Sequence, residues 1–70
     1  MMPLLLAGVG EDNMIRKVGG NPEMKKHLED LGFVVGGTVS IVSEINGNLI
    51  VNVKDTRIAI SREMAGKIMV

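Results

Sequence analysis

Thr38-Val39-Ser40-Ile41-Val42-Ser43, then Asn46-Gly47, then Leu49-Ile50-Val51-Asn52-Val53-Lys54 is the stretch that decides the fold. Its first run alternates polar and apolar residues through Ile41, the period of two that a half-buried strand imposes. The second run sets Leu49, Val51 and Val53 on one face, because successive strand side chains point to opposite sides. Asn-Gly between two such runs is a strong hairpin signal, since both residues accept the positive φ of a tight turn.

Working outward toward the C-terminus, Asp55-Thr56 reads as a second tight turn and Arg57-Ile58-Ala59-Ile60 as a third strand, with Ile58 and Ile60 inward. Ser61 can cap a short helical turn from Arg62 to about Lys67. Ile68-Met69-Val70 would close the sheet.

Toward the N-terminus, Gly36-Gly37 allows a sharp bend, and before it lies the clearest helix in the chain. Asn21 is a good N-cap, Pro22 suits the first helical position, and Glu23 puts negative charge on the positive end of the helix dipole. Met24, Leu28 and Leu31 form one apolar stripe, and Gly32 follows as the expected left-handed terminator. The helix therefore spans Pro22 to Leu31. Glu29 and Asp30 oppose the dipole at its C-terminal end, and Lys25 and Lys26, one turn back, offset part of this. Gly19-Gly20 breaks a short strand read over Met14-Ile15-Arg16-Lys17-Val18. Residues 1–12 read as irregular or weakly strand-like.

The order is strand, helix, three antiparallel strands, helical turn, terminal strand. Five short strands in 70 residues are too few for two full sheets. Curled into a small, partly open barrel they bury most of the Val and Ile side chains and shorten their exposed edges. We expect one domain over residues 1–70, mainly β with short helices.

Composition narrows the function. There is no cysteine, so thiol nucleophiles and Cys-based metal sites are excluded. Eight basic and eight acidic residues cancel, which argues against a nucleic-acid protein relying on bulk positive charge and against a polybasic membrane anchor. Phe33 is the only aromatic residue, too few for base stacking or for a proline-reading groove. The apolar runs fall far short of the roughly 20 residues that span a bilayer. Met1 to Ala7 lacks the basic start of a signal peptide. The expectation is a soluble, cytoplasmic chain.

Few residues carry chemistry. His27, the only histidine, lies one turn from Glu23 and Asp30 on a helix face. Imidazole with carboxylates suits a weakly bound zinc or iron(II), although a solvated face of alternating charge is the simpler reading. The methionines are spread over separate elements, as core filling rather than a soft-metal cluster. Gly19-Gly20 ahead of a helix lacks the Lys-Ser/Thr of a phosphate-binding loop. A core this small leaves little room for a catalytic pocket, so no enzyme activity is expected.

One constellation is more specific. Gly19-Gly20, then Met24-Lys25-Lys26-His27-Leu28-Glu29-Asp30-Leu31-Gly32-Phe33, then Gly36-Gly37-Thr38 resembles the pattern of the FeoA family, small SH3-like barrels of bacterial ferrous iron transport. Arg57 to Val70 is similar to that family's ending, and Leu4 and Gly10-Glu11 also fit. The chain departs from the pattern at Val35, where many members carry Pro, at Asp55, where many carry Gly, and at His27, commonly a third basic residue. The resemblance implies an SH3-like barrel and a cytosolic accessory protein of ferrous iron uptake. Its implied partner is the FeoB-type membrane transporter, through the transporter's GTPase domain. The implied alternative is a transition-metal-binding sensor barrel, like the SH3-like domain of iron-dependent repressors. The proposed partner contacts are Lys25, Lys26, Glu29, Leu31, Gly32 and Phe33, and the metal candidates are His27, Glu23 and Asp30. Self-association through an unpaired strand edge is a further option that the residues allow.

Overall fold

The computed structural model describes residues 1–70. Its strands are β1 (Asp12–Met14), β2 (Lys17–Val18), β3 (Thr38–Ile45), β4 (Asn48–Val53), β5 (Thr56–Ser61) and β6 (Ile68–Met69), with helices α1 (Pro22–Asp30) and α2 (Arg62–Ala65). All strand pairs are antiparallel. β1-β3-β4-β5 form one sheet and β2-β6 a second, and together they curl into a partly open barrel.

The β3–β4 hairpin pairs Val39 with Val53 and Ile41 with Val51, so the inward residues of both runs meet on one face. Its turn is Asn46-Gly47, with φ of 50° and 81°. The alternation of β3 stops at Ile41 for a structural reason: the register shifts between Ile41 and Ser43. That extra residue is a bulge, which bends the strand as a closing barrel requires. The following turn lies at Lys54-Asp55, with φ of 50° and 59°, one residue earlier than the expected Asp55-Thr56. Both positions take left-handed backbone without glycine, so no glycine in the sequence marks the turn.

The strand expected over Met14–Val18 is two strands in two sheets. The chain changes sheets at Ile15 and Arg16. The Ile15 N–H donates to the Gly37 carbonyl at 2.8 Å, whereas the Arg16 N–H donates to the Met69 carbonyl at 2.8 Å. Ile15 is fully buried at this corner. The barrel thus has six short strands rather than five, and one corner is a continuous piece of chain.

Residues 1–12 also hold more order than expected. Met2 and Val70 exchange two main-chain hydrogen bonds, at 2.9 and 2.7 Å, which ties the two ends of the chain together. Leu4–Leu6 makes one 3-10 turn that sinks Leu4 into the core.

α1 starts as anticipated: the Asn21 side chain accepts from the Met24 N–H at 2.8 Å. It ends in a Schellman motif. The Phe33 N–H donates to the Leu28 carbonyl and the Gly32 N–H to the Glu29 carbonyl, both at 3.0 Å, with Gly32 at φ +110°. Leu28 and Phe33 are fully buried in a single 14-residue core with the inward Val and Ile residues of both sheets. Burying one such side chain stabilises the fold by roughly 1.5–3 kcal/mol. Ser61 caps α2 by accepting from the Met64 N–H at 3.1 Å.

Candidate functional surface

The residues read from the sequence as a contact surface separate into two groups. Lys25, Lys26 and Glu29 are exposed on α1, and Leu31 is half-buried. Phe33 is fully buried, and Gly32, also buried, reaches the outside only as part of the lining of a surface depression. The Schellman turn that ends the helix is the cause: it folds Phe33 back under Leu28, so the apolar end of this unit faces the core.

The metal candidates also fail to assemble. His27, Glu23 and Asp30 are exposed, and no group of three or more His, Asp or Glu side chains comes together anywhere in the chain. All three project from one short solvent-facing helix, and no second element brings ligands to meet them. The residues present do not form a metal centre.

Two half-open depressions mark the outside. One, of about 330 Å³, lies over β1, β3 and β4 beside the Lys54-Asp55 turn, and its charged walls are Asp12, Asp55 and Lys54. Two carboxylates and hydroxyls there give a polar surface without a ligand set.

The other groove, of about 350 Å³, runs between α1, the end of β2 and the loop after Phe33. Lys25 and Glu29 form its helix side, Arg16 and Lys17 its strand side, and Val18, Val34 and Val35 supply apolar surface. Val35 is 67% exposed. Three cations face one carboxylate, and none of the four belongs to an ion pair, because Arg62–Glu44 is the only salt bridge in the structure. A net-neutral chain has concentrated unpaired positive charge at one groove. Of its lining, only Lys25 and Glu29 are among the contact residues expected from the sequence; Arg16, Lys17 and the three valines are not. The adjacent pair Arg16-Lys17 was the available signal, but only the switch of sheets at Ile15 swings it toward the helix.

The FeoA domain family matches residues 2–70. The chain belongs to the FeoA family. A Methanocaldococcus jannaschii protein named for Fe(2+) transport (transport protein A) is 33% identical over the whole of this chain and 85% of its own length. The crystal structure of Stenotrophomonas maltophilia FeoA in complex with zinc, described as an SH3 domain protein, superposes with a TM-score of 0.87 at 26% identity, covering all of this chain and 89% of that one. The cadmium-bound structure of ScaR contains the same fold as about a third of its chain. It covers 97% of this chain with a TM-score of 0.84 at 21% identity, a likeness of fold alone. The barrel is therefore SH3-like, and the family is one of ferrous iron transport accessory proteins. Asp55 sits at φ +59°, left-handed backbone that glycine adopts more readily than other residues.

Proposed function

We propose that this chain is a cytosolic, non-enzymatic accessory protein of ferrous iron uptake. It binds or regulates the GTPase domain of an FeoB-type membrane transporter through its exterior. The observation that carries this reading is the family match over residues 2–70. The structure is in keeping with it: the core is closed by aliphatic side chains, both depressions are half-open to solvent, and no buried side-chain polar group is left without a partner. Such a molecule offers surfaces rather than a reaction chamber. No helix in the chain is long and apolar enough to cross a membrane. Lys25, Lys26 and Glu29 are the contact residues on α1, with half-buried Leu31 at its C-terminal end. A titration against the cytosolic part of the transporter, with and without guanine nucleotide, tests the reading, and absence of binding in both states overturns it.

A second reading, metal binding, draws on the zinc complex of the S. maltophilia relative. Its candidate ligands in this chain are His27, Glu23 and Asp30, which the fold does not gather. Calorimetry with iron(II) or zinc, before and after His27→Ala, decides it: a loss of binding in the variant would restore the histidine to the account.

A further inference from the structure

We infer that the groove between α1, β2 and the Val34-Val35 loop seats an acidic segment of the protein partner that carries an aliphatic side chain. This rests on the accessory-protein reading and goes further: it names the surface and the chemistry of what fits it.

Three observations converge on this groove. First, Arg16, Lys17 and Lys25 meet there against Glu29 alone, in a chain whose formal net charge is zero. None has an internal ion-pair partner, so all are free to meet carboxylates from outside. Second, the cations surround apolar surface. Val18 is buried, Val34 half-buried, and Val35 stands 67% exposed, where an aliphatic side chain of the partner would cover it. Third, the scaffold beneath is fixed by main-chain bonds. The Gly36 N–H donates to the Ile15 carbonyl at 2.8 Å, which ties the valine loop to the segment that carries Arg16 and Lys17.

Charge chooses the occupant. A lysine-rich or arginine-rich segment would meet three like charges. A nucleic acid would be attracted by the charge, but the only aromatic ring, Phe33, is buried, which leaves no stacking platform. Carboxylates from Asp or Glu, spaced around one Leu, Ile or Val, match both parts of the groove. The charges set encounter rate and orientation, while the covered valines lengthen the residence time.

The test maps the surface and separates this inference from the broader reading. The isotopically labelled protein is titrated with the cytosolic part of the transporter, and its amide resonances are followed. Shifts concentrated at Lys17, Val18, Lys25, Glu29, Val34 and Val35 are expected. Lys17→Glu should weaken binding about tenfold. Arg57→Glu, the same charge change on exposed β5, should leave it within about twofold. Val35→Asp should weaken binding by a factor similar to Lys17→Glu. Binding with shifts elsewhere, or equal loss from Lys17→Glu and Arg57→Glu, overturns the groove and leaves the accessory role standing. No shifts at any position overturn both. Cosedimentation with phosphatidylglycerol vesicles that Lys17→Glu abolishes would assign the groove to a lipid surface and overturn the protein occupant.

Discussion

Gly32 is the residue on which the end of α1 turns. At φ +110° it lies in backbone that side chains with a Cβ rarely adopt, and it is buried between the helix and β4. A Cβ added there would sit 3.4 Å from the flexible Lys54 side chain, so space is not the obstacle and backbone strain is. Gly32→Ala should cost about 1–3 kcal/mol. Gly66 caps α2 at φ −68°, an ordinary helical value, so Gly66→Ala should change stability by less than about 1 kcal/mol. Urea unfolding of the two variants checks the contrast, and equal losses would refute the strain argument. His27 supplies the second prediction at this scale. Because it belongs to no group of three or more ligating side chains, His27→Ala should leave zinc affinity unchanged within about twofold in calorimetry. The residues that were legible in the sequence are those that act locally. Asn21 caps through its own side chain, and Gly32 and Gly47 take positive φ. Phe33 illustrates the limit. Its position just past the helix reads more readily as a core plug than as an exposed anchor, yet it also stands among the expected partner contacts, and only the turn that reverses it into the core decides between the two.

At the scale of elements, Phe33 and Leu28 join α1 to the sheet. Both are fully buried, and truncating a buried Phe typically costs 3–5 kcal/mol. A barrel of this size holds only about 3–5 kcal/mol in total. Phe33→Ala should therefore populate unfolded chain strongly at room temperature, seen as lost β signal in circular dichroism. A cooperative wild-type-like melt from that variant would mean that the ring contributes little. The β3–β4 hairpin and both helices could be read in advance because period, cap and turn all agree there. The strand over Met14–Val18 could not be resolved into two. Its residues carry strand character throughout, and what divides it is a competition between partners: Gly37 takes the Ile15 amide and Met69 takes the next one. Such competition is tertiary and has no local signature. The bulge after Ile41 belongs to the same class, since one extra residue in β3 shows only against the register of β4.

For the molecule as a whole, the informative property is where the charge sits. The formal sum is zero, yet unpaired cations gather at one groove, while Asp12 and Asp55 flank the opening over the larger sheet. Composition revealed the sum and concealed the arrangement. Contacts through such a cationic rim are screened by salt, with a Debye length of about 10 Å at 0.1 M falling to about 3 Å at 1 M. Partner binding should therefore weaken progressively as ionic strength rises, and a salt-independent affinity would point instead to a contact dominated by apolar burial. Under the proposed role, the exterior of this barrel, and not a chamber within it, works on a membrane transporter. The decisive measurement is a calorimetric titration of the protein into the cytosolic GTPase part of that transporter, run with and without guanine nucleotide. A saturable one-to-one interaction with Kd below about 50 µM in at least one nucleotide state is predicted. Flat titrations in both states at low salt would contradict it.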